Sequence, residues 1–191
     1  MSTDSSVAGY LAPASSPIDG DALQDFLQAV IVGITGIAGQ YVRPRWQPEP
    51  PNLPDFGTDW CAFGITGREA DPFGMAQHNP AGQGSDSISR HESLDVLISF
   101  YGPNADLMAG QLRDGLLLDQ NRAALTSADI ALTGIGQIVS VPSLIKDRWL
   151  YRVDLPVFLR RLTTRTFTIL NIQSGQVVLN NEHYTETINI I

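Results

Sequence analysis

The proline-rich stretch at residues 40–66 constrains the fold most strongly, because it contains five of the twelve prolines and two of the three tryptophans. Each proline removes a backbone donor and fixes φ, which disfavours both a regular helix and a central strand. We therefore expect an extended, stiff spacer held in place by packing. Trp46 and Trp60 are expected to pin this spacer onto the core. Arg43 and Arg45 are candidates to present their guanidinium groups to a partner beside the Trp46 ring.

Two segments have the apolar spacing of amphipathic helices. The first begins at Asp21 and is expected to end at Gly36 or Gly39, since glycine commonly stops a helix. The second follows Asn104, a residue suited to the N-cap position. Two glycines lower the helix propensity of the second segment, so tertiary packing must hold it. The apolar positions are Leu23, Phe26, Leu27, Val30, Ile31 and Ile34 in the first segment, and Ala105, Met108, Ala109, Leu112 and Leu116 in the second.

Alternation of apolar residues predicts the strands. In residues 90–101 the apolar side chains of one face are Leu94, Val96, Ile98 and Phe100. Residues 149–172 form the longest β-like stretch, with Trp149 as its first inward-facing residue. The alternation breaks at Arg161, which favours a turn or bulge near 161–165. Because proline cannot donate to a strand ladder, Pro156 favours a free edge along this strand.

Together these elements predict an α+β fold, a mainly antiparallel β-sheet with two amphipathic helices packed on it. We expect a single domain over residues 21–191, since the chain length suits one domain of ordinary size. Residues 1–20 are expected to form a flexible N-terminal arm. Residues 67–89 are expected to form a long loop or hairpin arm with a short strand at 75–79, and residues 173–191 a C-terminal hairpin.

The charge distribution favours contacts between protein copies. A net charge of −8 argues against a protein that binds nucleic acid independently of sequence. Residues 1–71 carry three basic and nine acidic side chains, whereas residues 146–165 carry six basic and two acidic ones. This segregation suits head-to-tail contacts, and eleven of the twelve cations are arginines, which pair well across interfaces. The candidate interface residues are Arg43, Arg45, Trp46, Met75, His78, Arg152, Arg160, Arg161 and Arg165.

No pattern in the sequence predicts catalysis, a metal site or a cofactor. The three histidines, His78, His91 and His183, have no companion ligands at metal-binding spacing. His91 and Glu92 are neighbours on a strand and should point to opposite faces, which disfavours a catalytic dyad. No nucleophile elbow, phosphate loop or kinase pattern occurs. We therefore expect a protein that is not an enzyme and needs no cofactor.

The compartment follows from the cysteine count and the hydropathy. Cys61 is the single cysteine, so an internal disulfide is impossible and synthesis in the cytoplasm is favoured. Its apolar neighbours predict a buried, inert thiol. The longest apolar window is too short to span a membrane, and no signal peptide is recognised. We expect a soluble protein.

Four runs of the sequence carry a resemblance to a known family. They are VRPRWQPEPP with TDWCAFGIT at residues 42–66, RHESLDVLISFYGP at 90–103, LRDGLLLDQNR at 112–122 and WLYRVDLPVFLRR at 149–161. These runs resemble the neck or tail terminator proteins of tailed bacteriophages, over residues 23 to 172. None of them is a catalytic signature.

The resemblance implies a structural virion protein, made in the cytoplasm of the bacterial host and located at the neck of the virion. It implies a homohexameric ring that ends polymerisation of the tail tube or sheath and joins the tail to the head-neck connector. Its partners would be the tail tube protein, a sheath protein where the tail has one, and a neck or head-completion protein. Genomic DNA would pass through the lumen without specific binding, and no membrane would be involved.

Two alternatives remain open from the residues alone. One is a small soluble enzyme whose site uses only Asp or Glu side chains, which would require a deep pocket with perturbed pKa values. The other is a peptide-binding module that uses Trp46 and the proline run.

Overall fold

The computed structural model describes residues 4–49, 51–145, 147–172, 175–181 and 184–190. The helices and strands are α1 Asp21–Thr35, β1 Val42–Pro44, β2 Trp60–Ala70, β3 Met75–Asn79, β4 Ser85–Tyr101, α2 Ala105–Gly115, α3 Asp119–Thr126, β5 Ile130–Ile135, β6 Val139–Ser140, β7 Ser143–Ile145, β8 Arg148–Leu150, β9 Arg152–Phe167, β10 Gly175–Asn181 and β11 Tyr184–Ile190.

The chain divides into two compact units. The core unit consists of Pro17–Gly74 and Arg90–Thr163. The arm unit consists of Met1–Ser16, Met75–Ser89 and Thr164–Ile191.

The core unit is built on a sheet in the order β1-β2-β4-β9-β5. The short strand β1 runs parallel to β2, whereas β2 is antiparallel to β4, and β5 and β6 are both antiparallel to β9. The sheet is therefore mixed but mostly antiparallel. Together with the helices, it confirms the predicted α+β fold.

Helix α1 ends where its sequence predicts. Gly36 adopts the left-handed conformation at φ 72°, and its N–H donates to the Val32 carbonyl at 2.9 Å. Glycine reaches this conformation without steric cost, which explains the stop. The predicted apolar stripe is the buried one, with Leu23, Leu27 and Ile31 in the core.

Helix α2 begins after Asn104 as predicted, although the Asn104 side chain donates to the Asp59 carboxylate and does not cap the helix. One of the two glycines of α2 has a structural reason. A Cβ added at Gly115 would lie 2.3 Å from Cγ2 of Ile34, so the absence of a side chain allows this close approach to α1. Helix α3 is an element that the pattern did not predict. Only Leu125 of α3 is buried, and a single buried position leaves no apolar period to recognise.

Strand β4 confirms the clearest strand prediction and is longer than expected. Its core residues Leu94, Val96, Ile98 and Phe100 are all buried. The strand starts at Ser85, and its neighbour β2 continues to Ala70, so both strands extend into the segment at residues 67–89 that was expected to be a loop or hairpin arm. The residues of β4 before Arg90 are exposed or half-buried, and all except Ile88 are polar, so backbone pairing rather than burial makes them a strand.

Strand β9 corrects the prediction of a turn or bulge near residues 161–165. The strand runs without interruption from Arg152 to Phe167, and Arg161 and Thr163 continue the inward alternation as buried residues. The apparent break arises because these inward positions carry polar side chains. Trp149 is also not the inward residue that the pattern favoured, since it lies in β8 and is 67% exposed.

Pro156 does not mark a free edge of β9, which pairs with β4 on one side and with β5 and β6 on the other. Strand β5 ends at Ile135 and β6 begins at Val139, so Pro156 lies opposite the gap between them. Its carbonyl accepts a hydrogen bond from the Gly136 N–H at 2.8 Å. The missing donor is thus accommodated by an interruption in the partner strand.

The arm unit is organised by β3 and the first residues of β4, which pair antiparallel from Met75 opposite Ser89 to Asn79 opposite Ser85. The short strand expected at residues 75–79 is therefore confirmed. In the same unit, the N-terminal segment forms an antiparallel bridge between Ser15 and Thr166. Strands β10 and β11 form an antiparallel pair.

Candidate assembly surfaces

The first candidate surface lies where the proline-rich spacer crosses the sheet. The Arg45 N–H donates to the Phe63 carbonyl at 2.7 Å, which fixes the chain beside β2. The Arg45 guanidinium donates to the Ser99 hydroxyl, which donates in turn to the Asp154 carboxylate. Arg152 donates two hydrogen bonds to the same carboxylate, at 2.8 and 2.7 Å. Two guanidinium groups and one carboxylate leave a net positive charge in this network.

The two tryptophans of the spacer behave differently. Trp60 is buried and stacks on Tyr101 with ring centroids 4.0 Å apart, so it is an anchor as predicted. Trp46 is 72% exposed and has a φ of 57°, so it is not buried in the core as Trp60 is. A Cβ at Gly64 would lie 2.7 Å from the Trp46 ring, which places the indole against the sheet at this glycine. An exposed aromatic ring on strained backbone is typical of a binding surface.

Two of the predicted interface arginines form ion pairs inside the core unit. Arg160 donates to both carboxylate oxygens of Asp71, at 3.0 and 2.8 Å, and remains 40% exposed. The Arg161 side chain is only 3% exposed, because it donates to the Glu92 carboxylate and the Ile18 carbonyl, both at 2.6 Å. The prediction that Arg161 contacts a partner is therefore wrong, since its guanidinium is enclosed within the subunit.

Other predicted interface residues are accessible. Arg43 donates to the backbone carbonyls of Gln40 and Asn52, at 3.0 and 2.9 Å, and has no carboxylate partner among the described residues. Met75 is 64% exposed. Arg165 is exposed and makes no hydrogen bond within the described ranges. The interface role of these residues stays a prediction.

The sheet of the core unit has open backbone at both edges, a feature that the sequence did not reveal. Strand β1 ends at Pro44, opposite Phe63. In the described part of the chain, β2 pairs only with β4 from Gly64 to Ala70. At the opposite edge, β5 pairs only with β9 from Ile130 to Ile135 within the same described ranges. Unpaired strand edges are ready acceptors for a strand of another chain.

An open groove of about 570 Å³ lies between α3 and β5, next to the second free edge. Its charged groups are Asp119 and Arg122, which form an ion pair with each other. The remaining lining is small or apolar, including Ala123, Ile130 and Leu132. A groove of this composition is suited to packing against another protein.

His78 belongs to a polar cluster in the arm unit. Its Nδ1 lies 2.5 Å from the Asp86 carboxylate and its Nε2 lies 3.0 Å from Oδ1 of Asn171. The Asn171 amide donates to the Pro80 and Gly82 carbonyls, which orients its oxygen toward the imidazole. Both ring nitrogens therefore face acceptors, and the hydrogen bond to Asp86, followed by that to Asn171, raises the pKa of His78 above its ordinary value of 6.5.

We expect His78 to titrate above pH 6.5 in a histidine-resolved NMR titration of the folded protein. A pKa raised on folding stabilises the folded state fully below the unfolded pKa, and this contribution is lost as the pH rises through the folded pKa. Asp86→Asn removes the main cause of the shift and should lower the pKa of His78. Titration of the unmodified protein at or below 6.5 would contradict this arrangement.

The remaining groups with reactive or ligating side chains were considered within the described residues. Burial raises the pKa of the Cys61 thiol, which is fully buried, as the prediction of an inert thiol requires. Within the described ranges, no three His, Cys, Asp or Glu residues cluster closely enough to hold a metal ion. None of the described helices is long and apolar enough to cross a membrane.

Comparison with known proteins identifies one family. A sequence model described as "phage neck terminator protein" matches residues 21–182, a range that contains every helix and strand from α1 to β10. A search of curated proteins found no match.

Proposed function

The chain belongs to the phage neck terminator family, a family of structural neck proteins of the virion, and from this premise we propose that it is a ring-forming tail terminator. In this role it ends polymerisation of the tail tube or sheath and joins the tail to the head-neck connector. The observation that carries the proposal is the family match across residues 21–182.

The proposed ring has protein partners on both of its sides. One side meets the tail tube protein, and a sheath protein where one exists, while the other side meets a neck or head-completion protein. Six copies close the ring through heterologous contacts, in which two different surfaces of the subunit meet. Genomic DNA passes through the lumen without specific binding, which the net charge of −8 supports, since a surplus of carboxylates repels phosphates. The protein is made in the host cytoplasm and acts without catalysis.

The sheet of the core unit supports a heterologous arrangement. Its two free edges, on β2 and β5, belong to opposite sides of the same sheet. If the β2 edge of one subunit contacts the β5 edge of the next, an open row of subunits has a free β2 edge at one end and a free β5 edge at the other. Only closure into a ring satisfies every edge.

The proposed function is tested by light scattering of the purified protein over a range of concentration and salt, followed by addition to polymerising tail tubes. We expect a discrete hexamer, either free or formed on the tube end, and tubes that stop growing once the protein is added. Bovine serum albumin at equal concentration serves as the control for non-specific effects. A protein that stays monomeric with and without tubes, and leaves tube growth unchanged, would overturn the proposal.

A further inference from the structure

We propose that the free edge of β2 in one copy pairs antiparallel with the free edge of β5 in the next copy. In the proposed register, Ile65 lies opposite Ile135, Arg68 opposite Leu132, and Ala70 opposite Ile130. This inference rests on the proposed function, because it names the contact that builds the ring.

The outward-facing backbone groups of β2 follow from its observed pairing. The Phe63 carbonyl points away from β4, since it accepts a hydrogen bond from Arg45 across the outer edge. In an antiparallel pair the direction of the backbone groups alternates, so Ile65 also faces outward. The register with β4 shifts by one residue between Ile65 and Gly67. The next outward positions are therefore Arg68 and Ala70.

The outward-facing groups of β5 follow in the same way. The Asp129 carbonyl accepts a hydrogen bond from the Leu162 N–H at 3.0 Å, so Asp129 faces β9. Ile130 and Leu132 then face outward. The register with β9 shifts by one residue between Leu132 and Gly134, which makes Ile135 the next outward position.

The two edges match because each contains one extra residue at the corresponding place. Along β2 the outward positions are Ile65, Arg68 and Ala70, which are steps of three and then two in residue number. Along β5, read in the opposite direction, the outward positions are Ile135, Leu132 and Ile130, which are the same steps. A bulge normally disrupts strand pairing, but two bulges in the same place keep the outward groups of both strands in register.

The side chains of the matched positions also lie on the same face of the sheet. Ile65 pairs with Val96 in β4, and Leu132 and Ile135 pair with Leu159 and Val157 in β9. The three partners are buried in the core. The edge residues Ile65, Leu132 and Ile135 are only partly buried against the core cluster. Pairing between copies would complete their burial, which adds apolar stabilisation to the backbone hydrogen bonds.

Strand direction permits the same contact to repeat from copy to copy. The hydrogen bonds of Ser99 to Asp154 and of Arg160 to Ser93 show that β4 and β9 run antiparallel. Strands β2 and β5 therefore run in opposite directions within one subunit. A rotation about an axis parallel to the strands keeps the strand directions unchanged, so β5 of one copy lies antiparallel to β2 of the next. The same rotation can be repeated from copy to copy until the ring closes.

The pairing is tested by disulfide formation between two introduced cysteines. The register places Glu69 opposite Ala131, as a pair that is not hydrogen-bonded and whose side chains stand closest together. Both residues are exposed, so substitution should leave the fold intact. We expect Glu69→Cys protein mixed with Ala131→Cys protein to form covalent dimers under mild oxidation, in conditions where the wild type is assembled. The buried thiol of Cys61 should not react.

Two controls distinguish this register from other contacts. Glu69→Cys protein alone should give no covalent dimer, since like edges do not meet. Mixing it with Asp129→Cys protein, which displaces the thiol by two residues along the edge, should reduce the yield at least tenfold. Assembly without preferential coupling of positions 69 and 131 would overturn the edge pairing while leaving the proposed ring intact.

Hydrogen exchange of the assembled wild type is an independent test of which strand occupies the free edge of β2. The amides of the six outward positions have no acceptor in the described part of the subunit, so they should exchange at least tenfold more slowly in the assembly than in the dilute monomer. Protection confined to β2 would show that another segment or another virion protein occupies its edge, which would overturn the inference. A protein that never assembles, alone or on tail tubes, would overturn both the inference and the proposed function.

Discussion

Arg161→Met is expected to lower the free energy of unfolding by about 3–5 kcal/mol, the cost of removing one partner of a buried ion pair. The Arg161 and Glu92 side chains are 3% and 15% exposed, and the Ile18 carbonyl accepts a hydrogen bond from the same guanidinium. Methionine fills similar space without neutralising Glu92, so an unpaired carboxylate would remain in a poorly hydrated position. Urea denaturation of the two proteins measures the difference.

The double variant Arg161→Met with Glu92→Leu distinguishes loss of charge pairing from loss of packing. Because replacing both partners of a buried pair by apolar residues is often nearly neutral, we expect it to recover most of the lost stability. Arg165→Met, at an exposed position of the same strand, is the matched control and should change the free energy of unfolding by less than about 0.5 kcal/mol. Equal effects of the substitutions at positions 161 and 165 would contradict the buried pair.

Phe63→Ala is expected to destabilise the protein by about 3–5 kcal/mol, as is typical when a buried aromatic side chain is removed from a core. Phe63 is fully buried on β2, between the sheet and the helices that share its core cluster. The surrounding side chains cannot collapse fully into the space that the ring leaves, so a cavity term adds to the lost transfer free energy. Thermal or urea unfolding provides the measurement.

Phe73→Ala is the matched control, because it removes the same ring from a position that is 88% exposed. This change should stay within about 0.5 kcal/mol of the wild-type free energy of unfolding. If the two phenylalanine variants were equally stable, β2 would not be a core strand of the sheet. The comparison therefore tests the placement of β2 and not only the cost of losing an aromatic side chain.

Several candidate site residues could be found from the sequence, but their roles could not all be assigned. The proline-rich spacer directed attention to Arg45 and Trp46 as candidates. The sequence did not show that Arg45 would form a hydrogen-bond network with Ser99 and Asp154. These two residues lie 54 and 109 positions after Arg45 in the chain. Arg161 was assigned to an interface because it belongs to the arginine-rich basic segment at residues 146–165. Only its tertiary partner Glu92 shows why a charged side chain can occupy an inward position.

The free edges were also beyond sequence reasoning. Residue pattern shows that a segment is a strand, but which strands are neighbours depends on contacts between distant parts of the chain. Pro156 suggested a free edge on β9, yet this strand has partners on both sides and the free edges belong to β2 and β5. The one-residue register shifts that match these edges are visible only when each strand is aligned with its partner.

The sequence by itself determined the local elements with strong periodicity or clear stop signals, namely α1, α2 and the central part of β4, and it determined the family through its characteristic runs. These features depend on neighbouring residues, since burial of one helix or strand face imposes a period on the sequence. Tertiary structure alone decided the strand order, the burial of Arg161 and the exposure of Trp46. Each of these depends on which distant groups become neighbours, and that is settled by packing and electrostatic pairing across the whole sheet.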